Sequence, residues 1–137
     1  MRRMAKLWNA VAVALLLSVA PAIPQGSAAE GDWRKGRKVF RVCTSCHSFK
    51  AGEHPFGPSL MGVYGRAVGM APGYGYSRSM ARAREDGLRW TAETLDTFLM
   101  DPGRFIDGTR MRLPRLNDAT DRANVIAYIK RRAAPGK

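Results

Sequence analysis

Cysteine and histidine are the scarcest chemistry-bearing residues of this 137-residue chain, with two of each. Two cysteines cannot build the several-bridge framework of a small disulfide scaffold. Acidic residues are also few, 11 against 23 lysines and arginines, which leaves a formal net charge of +12. Such an excess implies an acidic partner, whether nucleic acid, anionic membrane or acidic protein face, and charge alone does not choose among them. No alternating apolar-polar run, internal repeat or phosphate-cradling glycine motif is present, so the reading is all-α. The length allows one domain and excludes a multidomain enzyme. Charged residues at 25% and hydrophobic residues at 45% argue against global disorder.

Long hydrophobic runs are missing too. The apolar stretch from Val11 to Ala20 stops at Pro21 and Pro24, short of the roughly 20 residues a spanning helix needs. Arg2, Arg3 and Lys6 precede it and small residues follow, the pattern of a secretory signal peptide. Residues 1–29 are therefore expected to be removed, with Ser27 and Ala29 at positions −3 and −1 of a cut before Glu30. Ala20-Pro21-Ala22 offers an earlier cut, and an uncleaved anchor is the alternative. Residues 30–137 keep 20 basic and 11 acidic residues, a net charge of +9.

Within residues 30–137 the apolar residues Trp33, Val39, Phe40 and Val42 fall at helical spacing and predict a first helix running into Cys43. Seven glycines (57, 62, 65, 69, 73, 75 and 87) and Pro58 and Pro72 then mark a loop-rich stretch. Ser79 to Asp86 suits a short helix inside it. Thr91 is an N-cap candidate for a second firm helix with Leu95, Phe98 and Leu99 on one face, stopped by Pro102-Gly103. A terminal helix over Thr120 to Arg132 aligns Val125, Ile126 and Ile129, and its final Lys130, Arg131 and Arg132 suit the helix dipole. So long a loop region is poor evidence for an ordinary side-chain core. A large apolar cofactor, bound tightly by the native state, would fill the middle.

The two cysteines belong to Cys43-Thr44-Ser45-Cys46-His47, a C-x-x-C-H sequence, the attachment pattern for c-type haem. Two thiols three residues apart at a helix end can form thioethers with the two haem vinyl groups, and the next residue, His47, is then held under the iron. A zinc site with His54 as fourth ligand competes, but adjacent Cys and His reach one tetrahedral metal poorly and no second cysteine pair exists. A redox dithiol would need a βαβ context, and a Cys43–Cys46 bridge would close too small a loop to stabilise much. For a second axial ligand the chain offers Met61, Met70, Met80, Met100, Met111 and His54. Met111 is best placed, in the irregular segment Gly108-Thr109-Arg110-Met111 between two helices, whereas most methionines are apolar packing. His54 reads as a solvent-exposed histidine on a surface turn.

These residues resemble the class I cytochromes c, specifically the cytochrome c2 and mitochondrial cytochrome c group. The resemblance runs through Gly36 to Phe40, Cys43 to His47, Gly57-Pro58-Ser59-Leu60, Gly65-Arg66, Ala71-Pro72-Gly73-Tyr74, Trp90, Glu93-Thr94-Leu95, Asp101-Pro102, Gly108 to Met111 and Ile126-Ala127-Tyr128. It implies a class I cytochrome c fold, three main helices plus short helices and long loops around one covalently attached haem (heme c). It also implies His47 and Met111 as axial ligands, with the Pro58 carbonyl accepting a hydrogen bond from the other His47 nitrogen. Tyr76 and Trp90 would bond a haem propionate, Arg66 would stabilise that charge, and Thr109 joins the cofactor-binding set. Gly36, Phe40, Val125, Ile126 and Tyr128 would pack the first helix on the last. Departures from the pattern are Phe98, Met80, Leu113, Arg115 and Gly103.

The resemblance implies a soluble one-electron carrier rather than an enzyme. The expected partners are acidic faces of redox proteins: a bc1 complex as donor, and a cytochrome oxidase or photosynthetic reaction centre as acceptor. Lys50, Arg104, Arg110, Arg112 and Arg115 could ring the exposed haem edge and steer such partners. Nucleic acid is not an expected partner, since no groove-reading or base-stacking motif is present. A monomer without stable membrane insertion, exported to a bacterial periplasm, completes the expectation. A peroxidase-like enzyme, should Met111 ligation be weak, and a membrane-tethered carrier are the alternatives.

Overall fold

The first and last helices meet because one small residue lets them. The computed structural model describes residues 30–112 and 115–134. The expected export segment 1–29 and Leu113 lie outside them. Helix α1 spans Trp33–Val39, capped by Asp32, whose carboxylate accepts from the Arg34 amide at 2.8 Å. The chain then tightens into a 3-10 turn over Phe40–Cys43, so the single predicted helix is two pieces with Cys43 at its end. Helix α5, Ala119–Ala133, is the terminal helix, capped by Asp118 and closed by Lys130, Arg131 and Arg132. A Cβ on buried Gly36 would run into the Asn124 carbonyl of α5. Phe40 and Tyr128 pack with ring centroids 5.2 Å apart, beside fully buried Val125. Trp33 adds a further link, its ring centroid lying 4.7 Å from the Arg34 guanidinium and 4.4 Å from that of Arg131 on α5.

Three further helices follow in chain order. α2 covers Arg78–Glu85 and is capped by Ser77. α3 covers Ala92–Met100 and begins at Thr91, which shares a reciprocal capping box with Thr94. Leu95, Phe98 and Leu99 form its buried face, as the spacing predicts. Pro102 does more than stop α3: lacking an N–H, it suits the first position of a new turn, and α4 runs Pro102–Phe105 under the Asp101 cap. The glycine-rich stretch forms no named strand among the described residues. Its backbone is satisfied by the 88–90 segment instead: Gly65 donates to the Trp90 carbonyl at 2.8 Å, Trp90 to Arg66 at 3.0 Å and Val68 to Leu88 at 3.0 Å.

Two buried polar residues on α5 are not legible from its apolar spacing. Asn124 accepts from the Asp32 amide at 2.7 Å and fixes the start of α1. Arg122 donates Nε to Asp96 of α3 at 2.7 Å and Nη1 to the carbonyls of Leu116 and Asn117 at 2.7 and 2.9 Å. The loop before α5 is thereby tied to both helices.

Candidate cofactor site

The C-x-x-C-H segment continues directly from the 3-10 turn. The Cys46 and His47 amides donate to the Cys43 carbonyl at 3.1 and 2.9 Å, which curls the three side-chain bearers onto one turn. Both cysteines are free and half-buried. Burial, and then the neighbouring Cys46, pushes the Cys43 thiol up to about 11. That direction is the opposite of the depressed thiols of dithiol redox motifs.

His47 is held by a carbonyl. Its Nδ1 lies 2.8 Å from the Pro58 oxygen, which can only accept, so Nδ1 carries the proton and Nε2 the lone pair. Burial lowers the His47 pKa and the Pro58 bond partly opposes that shift. The Gly57 amide donates to the Cys46 carbonyl at 2.8 Å. A Cβ at Gly57 would sit 2.5 Å from the His47 ring carbon Cε1, so only glycine fits between the ring and its Pro58 anchor.

This turn borders a cavity of roughly 320 Å³. Its wall is largely apolar, with Phe40, Leu60, Val63, Leu95, Leu99 and Ile129 from four separate segments. The structure places every sequence-predicted site residue on that wall: Cys43, Cys46, His47, Pro58, Arg66, Tyr76, Trp90, Thr109 and Met111. Of the six methionine and histidine candidates for a second ligand, only Met80 and Met111 reach it. Met80 is buried on α2, while Met111 stands on the loop, its amide directed to Thr109 Oγ1 at 3.4 Å.

His54 corrects an expectation. It is half-buried rather than a free surface histidine, because both ring nitrogens are used: Nδ1 accepts from the Ser59 amide and Nε2 donates to the Pro72 carbonyl, each at 2.9 Å. Neither nitrogen is left for a metal. Among the described residues no three His, Cys, Asp or Glu side chains gather into a metal-holding group.

The polar part of the wall has a sign. Arg66 donates Nη1 to the Met61 carbonyl at 2.7 Å, yet its buried Nε has no hydrogen-bond partner. Tyr76 accepts from the Ala71 amide at 3.2 Å, which leaves its own hydroxyl proton to give, and burial raises its pKa. Trp90 is buried against Phe98 with ring centroids 4.9 Å apart. An apolar cavity with donors at Arg66 and Tyr76 suits a large flat apolar group bearing anionic substituents.

The predicted cationic ring is less free than its sequence suggests. Lys50 lies 3.5 Å from Glu53, Arg115 lies 3.2 Å from Asp101, and Arg110 donates to the Gly75 carbonyl at 2.6 Å. Arg110 and Arg112 line the cavity and are exposed. Gly57, Tyr74 and Ser77 also line it and were not singled out as site residues. The glycine before Pro58 was the available signal for the first; the other two depend on loop geometry.

The cytochrome c family model matches residues 33–133. The chain is 39% identical over 101 residues to cytochrome c2 of Agrobacterium tumefaciens (strain II Chrys), covering 73% of this chain and 91% of that protein. It is 39% identical over 102 residues to cytochrome c type-1 of Ascaris suum, covering 74% and 88%. Among solved structures it is similar to cytochrome c2 from Rhodospirillum centenum, with TM-score 0.70 and 34% identity over 76% of this chain and all (100%) of that one. Cytochrome cH from Methylobacterium extorquens gives TM-score 0.67 and 34% identity over 74% and 99%. The apolar cavity, the paired thiols at its rim and the unpartnered Arg66 Nε fit the covalently bound heme c of these proteins. The chain belongs to the cytochrome c family, with the class I fold, and is a mono-haem electron carrier.

Proposed function

We propose that Cys43 and Cys46 form the two thioethers to the haem, and that His47 Nε2 and Met111 are the axial ligands. The supporting observation is the His47 ring, pinned through Nδ1 to Pro58 with its Nε2 lone pair unclaimed, on the same wall as Met111. The haem supplies a one-electron ferric–ferrous couple when bound. The Pro58 carbonyl orients His47 and raises its basicity as a ligand. Arg66, Tyr76 and Trp90 hold the anionic edge of the group, and Thr109 steadies the segment that carries Met111. The apolar wall excludes water and favours the less charged state of the site. With His47 and Met111 both holding the haem iron, little room would be left for a substrate there, and the activity it would supply is electron exchange.

The proposed partners are a bc1-type donor and an oxidase or photosynthetic reaction centre as acceptor, met through acidic faces that Arg110 and Arg112 attract. The proposed location is a bacterial periplasm, with the mature chain starting at Glu30. No helix among the described residues is long and apolar enough to cross a membrane. Purified protein should show a reduced c-type visible spectrum and a mass equal to residues 30–137 plus one haem. A chain without covalently bound haem would sink the attachment roles, and a mass retaining residues 1–29 would sink the processed form. Rapid reduction by a bc1 complex and oxidation by oxidase membranes test the partners.

A further inference from the structure

The described residues expose four large apolar side chains, Val42, Phe56, Met70 and Met100. Phe56 is the most exposed, at 80%, and is alone among them in also lining the cavity. Single exposed apolar residues are ordinary on protein surfaces. What sets Phe56 apart is how firmly its backbone is held. Its amide donates to the Cys46 carbonyl at 3.4 Å, the next amide to the same oxygen at 2.8 Å, and its own carbonyl accepts from Tyr74 Oη at 3.0 Å. Pro55 and Pro58 restrict the chain on both sides. Tyr74 is itself braced edge-on against Tyr76 at 4.9 Å, and Arg110 bonds the adjoining Gly75 carbonyl at 2.6 Å. An aromatic side chain on a firmly held backbone therefore stands in solvent at the cavity mouth, one hydrogen bond from a cysteine of the attachment motif, and the exposed Arg110 is bonded to the braced loop beside it.

A shuttle needs fast encounter and brief residence. Exposed cations provide long-range steering, but their attraction is screened within about 8 Å at physiological salt. Short-range affinity in transient complexes is concentrated in a few rigid aromatic anchors, because ordering them costs little entropy. Phe56, with two side-chain torsions to order on a backbone already held, sits beside the cavity that electron transfer must use.

We propose that Phe56 is the apolar anchor of the partner-docking face, and that the redox partner presents an apolar recess inside an acidic rim facing Arg110 and Arg112. The proposal rests on the electron-carrier reading above. The test uses full-length holoprotein, reduced with ascorbate and oxidised by respiratory membranes from the cells that make it, across a range of NaCl concentrations. Phe56→Ala should raise the apparent KM about tenfold at physiological ionic strength with kcat held within twofold, while the salt dependence persists because the cations remain. Phe56→Trp should restore most of the affinity. Met70→Ala, which trims an exposed apolar side chain away from the cavity, should behave as wild type. Phe56→Lys separates the two forces: steering alone predicts a faster reaction, whereas loss of the anchor predicts a slower one at high salt. An unchanged KM in Phe56→Ala, or a faster Phe56→Lys at every salt concentration, overturns the proposal and leaves the carrier reading standing. A wild-type holoprotein that the membranes cannot oxidise overturns the oxidase as acceptor and, with it, the docking proposal.

Discussion

The part of the cavity wall around His47 and the part around Met111 are built by different means. Around His47 the structure is local: the ring, its Pro58 anchor and the Gly57 amide on Cys46 all fall within residues 43–58. Each constraint forms as soon as that short segment folds. Among the described residues Met111 itself makes one long hydrogen bond, 3.4 Å to Thr109 Oγ1, while its neighbours Thr109 and Arg110 donate to the Ile106 and Gly75 carbonyls at 3.0 and 2.6 Å. Downstream, the described residues are fixed by α3 and α5, through Leu116 donating to the Leu99 carbonyl at 3.0 Å and Arg122 holding the Leu116 and Asn117 carbonyls. One side is set by the chain near the attachment motif; the other waits for α3 and α5 to pack. Heat or denaturant should therefore release Met111 before His47, since regions held by few local contacts open first.

Breaking the local side should cost most. Gly57→Val places side-chain atoms inside the His47 ring and separates it from Pro58, for an expected loss of about 3 kcal/mol or more. Recovery of haem-containing protein, read from the visible spectrum per mole of chain, should fall sharply; normal recovery with an unaltered spectrum would show that the ring can move aside. Met111→Ala should come next, at about 2–3 kcal/mol of stability by denaturant titration. The haem should stay attached through Cys43 and Cys46 while the near-infrared methionine–iron band disappears. A persisting band would transfer the ligand role to Met80, the other methionine on the wall.

Arg122→Leu sharpens the comparison because it acts on the loop that follows Met111 without being either proposed ligand. It leaves the Leu116 and Asn117 carbonyls without their donor and Asp96 without its guanidinium. Asp96 is partly exposed and recovers solvent, so the expected loss is about 2 kcal/mol rather than the full cost of a broken buried pair. The distinguishing readout is the midpoint for loss of the methionine band. That midpoint should fall to lower denaturant, while the His47 resonances change only at global unfolding. Equal shifts of both would mean that the two sides are one cooperative unit.

The same division explains what the sequence allowed to be read. Thr91, the Leu95-Phe98-Leu99 face and the attachment motif are local patterns, and the structure places them as the spacing predicts. The nine site residues share one wall because motif order carried over from a resembling family holds long-range information that periodicity lacks. Arg122, Asn124 and His54 were misread or passed over for one reason. Each spends polar atoms on groups distant in sequence, Arg122 on the Asp96 carboxylate, Asn124 on the Asp32 amide and His54 on the Pro72 carbonyl. A charged or polar side chain looks solvated until the fold brings those groups to it. Pro102 was read as a stop because its missing N–H ends one helix, although the same deficit suits the start of α4.

The smallest expected effect belongs to Arg115, which sequence reasoning placed in the docking ring. Its guanidinium lies 3.2 Å from Asp101 Oδ2, with 65% of the arginine side chain exposed. Water and salt screen such a pair, so Arg115→Ala should cost no more than about 0.5 kcal/mol. Asp101 has a second task, since its Oδ1 accepts from the Arg104 amide at 3.2 Å and caps α4. Asp101→Ala should cost about 1 kcal/mol, most of it from the lost cap. In 1 M NaCl the Arg115 effect should vanish while the larger part of the Asp101 effect persists, because screening acts on the ion pair and scarcely on a short capping bond. With its charge already opposed by Asp101, Arg115→Ala should also slow reaction with the respiratory membranes less than Arg112→Ala does. The reverse order would place the docking face nearer α4 than the cavity mouth.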